Sequence, residues 1–248
     1  MNRYSLILAL IPLVLMAVEA RSADTKKQTN VFPYPIHQTV LNNGLKVVSI
    51  PFDSPGIIAY YTIVRAGSRN EIEPGLSGFA HFFEHMMFRG TEKYSKEAFN
   101  EALKSIGADN NAYTNTDATV YHTLASAEAL ETIIDLESDR FMNLKYSEED
   151  FKTEAGAILG EYNKNYSSPF LSIFEKLYDT AYERHTYKHT TMGFLKDIMD
   201  MPNQYQYSLT FFDRWYRPEY CTIVVVGDVQ HEKLVTLVTK YYGKYYDN

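Results

Sequence analysis

Apolar positions along this chain follow two periods, and the balance between them shifts along its length. In the first part, short apolar runs bounded by turn residues read as strands. His37–Leu41 and Leu45–Ile50 flank Asn42-Asn43-Gly44 and predict a hairpin. Ile57–Val64 is largely apolar and long enough to lie centrally in a sheet. Asn111–Asn115 and Thr119–Leu124 predict two more strands around Thr116-Asp117. Helical patterns dominate later. Ser95 caps a helix to about Ile106, closed by Gly107, and Ser126 caps a long one through about Phe141. Ser147 begins another, with Asp150 at the capping-box position and Glu148 and Glu149 in its first turn. Leu171–Tyr182, Gln204–Trp215 and Glu232–Tyr242 read as helices, and the strand Cys221–Val226 returns before the last of them. The expected class is α+β, a mixed and mostly antiparallel sheet packed by helices. No internal repeat occurs, and no Gly/Ser linker follows residue 35, so residues 36–248 read as one domain.

One segment departs from a plain amphipathic pattern. Leu76–Phe88 predicts a helix whose apolar side carries Phe79, Ala80, Phe82, Phe83, Met86 and Met87. At about 100° per residue, His81, Glu84 and His85 share the opposite arc. Three titratable groups on a buried helix are costly unless something repays them, and a divalent metal would. Neutral imidazoles at i and i+4 can converge on one ion. The order His-x-x-Glu-His inverts the commoner zinc-protease motif. It leaves Glu84 beside the metal as a general base rather than a ligand. Ser77 and Gly78 lie one turn earlier and are expected to leave room for a substrate. The plainer alternative is two core histidines with a chance glutamate.

Composition narrows the classes. Of 248 residues, 45% are hydrophobic and 22% charged, an ordinary globular balance. The net charge of −7 and the scattered basic residues give no nucleic-acid surface. Residues 1–20 read as a secretory signal: Arg3, an apolar run Leu6–Val18, and a small-x-small site at Val18-Glu19-Ala20. Arg21 would begin the mature chain, and 21–35 read as a flexible lead-in. The run is shorter than the ~20 residues of a membrane span, so no stable membrane anchor is expected; an uncleaved anchor is the alternative. The single cysteine, Cys221, cannot form an internal disulfide and reads as a buried, inert thiol.

A catalytic zinc site commonly takes three protein ligands. The third should be an acidic residue or another histidine on a neighbouring element. Glu154 and Glu161 stand two turns apart on one face of the helix begun by Ser147, among small residues that permit close packing. Glu161 is the candidate; solvated surface charge at both positions is the alternative.

At this point the chain resembles the pitrilysin/insulinase metallopeptidases. The likeness runs through Asn43-Gly44-Leu45, Arg65-Ala-Gly-Ser-Arg-Asn-Glu71, Gly78–Met86 with Phe88-Arg-Gly-Thr91, and Asn111-Ala-Tyr-Thr with Asp117 and Tyr121. It continues through Asp139-Arg140, Glu154 to Glu161, Tyr216–Tyr220 and Val226-Gly-Asp228. The resemblance implies an endopeptidase with one Zn²⁺ per chain, held by His81, His85 and, 76 residues past the second histidine, Glu161. It implies Glu84 as general base, and Glu154 in the catalytic set as an acidic residue that helps hold the site. It also implies that an extended peptide adds to a sheet edge at Asn111, Ala112 and Tyr113. Family members usually pair this domain with a second, related, zinc-less one, in the same chain or as a partner subunit. The chain stops where a first domain would end, so a second inactive homologous domain or subunit, or a homodimer, is the expected partner. His185-Thr186-Tyr187 departs from the pattern, which often has proline in the middle; His185 and His189 read as loop or capping residues. The expected setting is exported, periplasmic or secreted. A non-catalytic subunit or scaffold is the competing reading, and it has no need for an intact His81, Glu84, His85 set.

Overall fold

The structure, a computed structural model, describes residues 32–245. The expected leader (1–20) and the lead-in up to residue 31 lie outside the described residues. Strands β1 (His37–Val40), β2 (Lys46–Pro51), β3 (Ile57–Val64), β4 (Asp109–Thr114), β5 (Thr119–Ser126) and β6 (Cys221–Gly227) form one sheet. Their order is β1-β2-β6-β3-β5-β4. Every neighbouring pair is antiparallel except β2 with β6. Alternation decides which way each strand faces. Ile58, Tyr60, Thr62 and Val64 of β3 are buried, and in β6 the buried set is Cys221, Ile223, Val225 and Gly227. The register sets Tyr60 opposite Val225 and Thr62 opposite Ile223, so the buried positions share one face.

Eight helices occur among the described residues: α1 (Phe79–Met86), α2 (Lys96–Ser105), α3 (Leu130–Asn143), α4 (Glu148–Tyr166), α5 (Pro169–Ala181), α6 (Leu195–Asp200), α7 (Tyr205–Trp215) and α8 (His231–Tyr242). The core joins sheet residues Tyr60, Tyr121 and Val225 to Phe82 and Phe83 of α1, Phe141 of α3, Phe151 of α4 and Phe211 of α7. The class is α+β, as the pattern predicts, and the long apolar β3 does lie inside the sheet.

Departures from the expected boundaries have local causes. β4 starts at Asp109 because Asn110 pairs with Thr123 as part of the ladder. Ser126 ends β5, and its hydroxyl caps a 3₁₀ turn, Ala127–Ala129, before α3 begins. Helix α6 was not expected; six residues are too few to show a helical period. Cys221 is buried as expected, and burial pushes its thiol up to about 12. His185 caps a 3₁₀ turn by accepting the Tyr187 N–H.

Candidate metal centre

Helix α1 owes its position to groups outside it. It starts at Gly78, whose φ of +96° lies in the left-handed region. The positive φ is what favours glycine here; a Cβ would also displace the tip of Ile198 and sit 3.1 Å from the Met192 carbonyl. No side chain at the N-cap serves the first N–H groups. Instead the buried Glu71 carboxylate accepts from Gly78 N and Ala80 N, both at 2.8 Å. Burial pushes this carboxyl up to about 8, against the pull of those N–H donors. Asp197 of α6 makes a second clamp, accepting from Ser77 Oγ at 2.6 Å, while Ser77 Oγ accepts from Phe194 N at 2.8 Å. This corrects one expectation: Ser77 and Gly78 are small because their own chain packs against them, and they leave no room for a substrate.

With the phenylalanines of α1 buried in the core, His81, Glu84 and His85 turn to the other side, where α4 and β4 meet them. Glu161 Oε2 lies 3.6 Å from His81 Nε2 and 3.4 Å from His85 Nε2. One donor atom from each of the three residues lies within 4.8 Å of the others, a group able to hold a metal ion. Behind them, Glu154 is only 5% exposed and accepts from His85 Nδ1 at 2.9 Å and from Arg89. Burial works against the Glu154 carboxylate, yet the hydrogen bonds from His85 and Arg89 hold it below the usual range. The surface-charge alternative for Glu154 therefore does not hold. An ionised carboxylate only accepts, so His85 Nδ1 carries a proton and Nε2 is the nitrogen left for a metal. Burial works against the charged imidazole, but the Glu154 hydrogen bond and the neighbouring carboxylates raise it overall. Burial, helped by the neighbouring His85, holds the His81 imidazole down to about 4, and its Nδ1 has no hydrogen-bond partner. Two neutral imidazole nitrogens and a carboxylate oxygen are a donor set that fits zinc.

Glu84 points to the same opening. Its Oε2 accepts from Thr114 Oγ1 at 2.6 Å, which fixes the carboxylate against the last residue of β4. Burial raises the Glu84 carboxyl, and the Thr114 hydrogen bond only partly offsets this. A cavity of about 330 Å³ adjoins, lined by Glu84, His85, Phe88, Arg89, Lys96, Asn111 and Glu154. Strand β4 is the last in the sheet and pairs only with β5 among the described residues. Asn111 reaches the cavity; Tyr113 lies exposed on the free edge and Ala112 is half-buried there. Sequence reasoning missed Glu71, Asp197 and Thr114. Glu71 and Thr114 carried a signal, as the last residues of two stretches of the family likeness, Arg65–Glu71 and Asn111–Thr114; Asp197 carried none.

An inverted His-x-x-Glu-His helix, facing a carboxylate from a second helix beside an open sheet edge, defines a site of the metallopeptidase class. Comparison agrees. The family model described as insulinase (peptidase family M16) matches residues 58–194, more than half of the chain, and that for the M16 inactive domain matches 204–248. The chain belongs to the M16 peptidase family. It is 32% identical over 211 residues to the zinc protease PqqE of Helicobacter pylori, covering 84% of this chain and 47% of that protein. The crystal structure of a protease from Helicobacter pylori superposes with a TM-score of 0.81 at 30% identity, covering 86% of this chain and 51% of that one. The first half of the periplasmic protease PqqL from Escherichia coli gives 0.73 at 26% identity, covering 86% of this chain and 47% of that one. The chain thus spans about half the length of the curated relatives it matches.

Proposed function

We propose that this chain is the metal-bearing half of an exported zinc endopeptidase. The observation that carries this reading is the convergence of His81 Nε2, His85 Nε2 and Glu161 Oε2, with Glu84 held beside them by Thr114. Zinc, when bound by His81, His85 and Glu161, supplies the Lewis acidity that peptide hydrolysis at neutral pH requires. Glu84 takes the proton of the attacking water and returns it to the leaving amine. Glu154 holds His85 in the tautomer that offers Nε2, and Arg89 balances its charge. An extended segment pairs with the free edge of β4 along Asn111, Ala112 and Tyr113. Backbone pairing accepts many sequences but only extended ones, so peptides and unfolded chains are the substrate class. The lengths of the relatives support a second, related half as a requirement for full activity.

Protein purified without chelator is expected to carry about one zinc per chain by elemental analysis, and His85→Ala to lose it. A metal-stripped wild type that still hydrolyses peptides would sink the proposal. Export rests on the 1–20 segment, and the similar PqqL of Escherichia coli is a periplasmic protease. Mass spectrometry of the exported protein should find Arg21 at its N-terminus; an intact Met1 on membrane-bound material would reject cleavage after Ala20.

A further inference from the structure

Helix α5 is amphipathic in the wrong direction for a domain that stands alone. None of its residues is buried. Phe170, Ile173, Phe174 and Leu177, at i, i+3, i+4 and i+7, form one stripe, and they are 68%, 57%, 44% and 52% exposed. The inward side is more polar. Ser172, Glu175 and Asp179 border a cavity between α4 and α5, where Glu175 accepts from Tyr162 Oη at 2.6 Å and Asp179 pairs with Lys188. A helix normally buries its apolar stripe and wets its polar one. Here the stripe faces outward, and such a patch marks a surface meant to be covered.

We propose that the outward stripe of α5 is the surface on which the second, related M16 half docks. The inference rests on the pairing proposed above and names where it happens. Three observations select this occupant. First, the chain covers only 47% of the Helicobacter zinc protease and 51% of the Helicobacter protease chain of known structure, so comparable proteins carry a further stretch of similar length. Second, α5 is tied to the helix that carries the third metal-binding candidate. Tyr162, the residue after Glu161 on α4, donates its hydroxyl to Glu175 of α5 at 2.6 Å, so a half seated on α5 packs against an element held to the Glu161 helix. Third, the charges disfavour a lipid surface. An interfacial helix sets several Lys and Arg on its polar face, whereas α5 has one lysine, Lys176, and no arginine, and its polar side also carries Glu175 and Asp179. A stripe on a 13-residue helix, about 20 Å long, falls short of the ~800 Å² per partner of a stable interface. The partner must reach beyond it.

The test is site-specific photo-cross-linking in the organism that makes the protein, with benzoylphenylalanine at position 174 and at position 72. Ile72, 67% exposed on a loop, is the control. Position 174 should yield adducts whose peptides come from a second M16 half, continuous with this chain or separate, and position 72 at least ~10-fold fewer. Adducts to another copy of residues 32–245, to lipid or to an unrelated protein overturn the inference, as does the absence of an adduct at 174. Co-purification with a tagged chain separates the two levels. A second half that co-purifies without the adduct leaves pairing intact and removes α5 from it; no second half at all removes the pairing as well. Independently, Phe170→Ser with Phe174→Glu should weaken association on the order of 100-fold while zinc content stays unchanged. Unchanged association in that variant would also overturn the proposal.

Discussion

Glu84→Gln is expected to keep its zinc and to lose peptide hydrolysis by about 10²–10⁴-fold. The amide preserves the size of the side chain, and Thr114 Oγ1 can still donate to its oxygen. The three converging donors belong to other residues, so metal affinity has no reason to fall. The amide cannot accept the proton of an attacking water, and that is the only function removed. Glu161→Gln should behave differently, losing metal and activity together, because a neutral amide in place of the carboxylate is a poor partner for a dication. Both assays call for the second half to be present. Near-normal turnover of Glu84→Gln, alongside a chelator-sensitive wild type, would exclude Glu84 as the base.

Glu137→Ala should destabilise the fold by about 3–5 kcal/mol, the range for breaking a buried ion pair by removing one partner. Arg140 and Glu137 are 1% and 2% exposed; Arg140 Nη2 donates to Glu137 Oε2 at 2.9 Å and lies 2.7 Å from Oε1. Without Glu137, Arg140 remains as an uncompensated cation among the rings of Tyr121, Phe88 and Phe99, at 4.7, 5.0 and 5.3 Å. Cation–π attraction of about 0.5–2 kcal/mol per ring does not replace a lost counter-ion in a dry site. Against a typical total of about 5–15 kcal/mol, the variant approaches the threshold of unfolding at 37 °C. Urea titration measures it. The double variant Glu137→Met with Arg140→Met should cost less than Glu137→Ala, because no charge is left behind. A double variant worse than the single would show that the rings need the cation. The pair also bears on the site, since Phe88 touches Arg140 on one side and lines the cavity on the other.

How much of this was legible in the sequence depends on the distance over which each interaction acts. His81, Glu84 and His85 could be read from helical spacing because one turn brings them together. Glu161 could be nominated as a carboxylate among small residues, but its pairing with these histidines drew on the family likeness; spacing along the chain says nothing about which helices face each other. Glu71, Asp197 and Thr114 stayed hidden for a related reason. Asp197 and Thr114 act on a hydroxyl and a carboxylate from distant elements, Glu71 acts on backbone N–H groups of the helix that follows it, and none disturbs a hydrophobic period. The pattern of α5 gave the helix but not its orientation, because amphipathicity specifies that one face will be covered and is silent on what covers it. Likewise, the apolar run Cys221–Val226 identified β6 as a strand without revealing that it lies between β2 and β3.

That placement of β6 also sets the order in which the molecule can be completed. Strand β6 joins residues 46–51 on one side to residues 58–64 on the other, so its partners are made more than 150 residues before it. Until Cys221–Gly227 has been synthesised, β2 and β3 have no common neighbour, and each presents an open edge to other chains. Local hairpins such as β1–β2 and β4–β5 can form early, at small loop-closure cost, while the central ladder waits for the most distant contact in the sheet. All three metal-binding candidates precede residue 162, so a nascent chain carries the whole ligand set long before it has the sheet that supports it. Zinc met at that stage would encounter ligands with no fixed geometry, and tight loading becomes an event that follows closure of the fold.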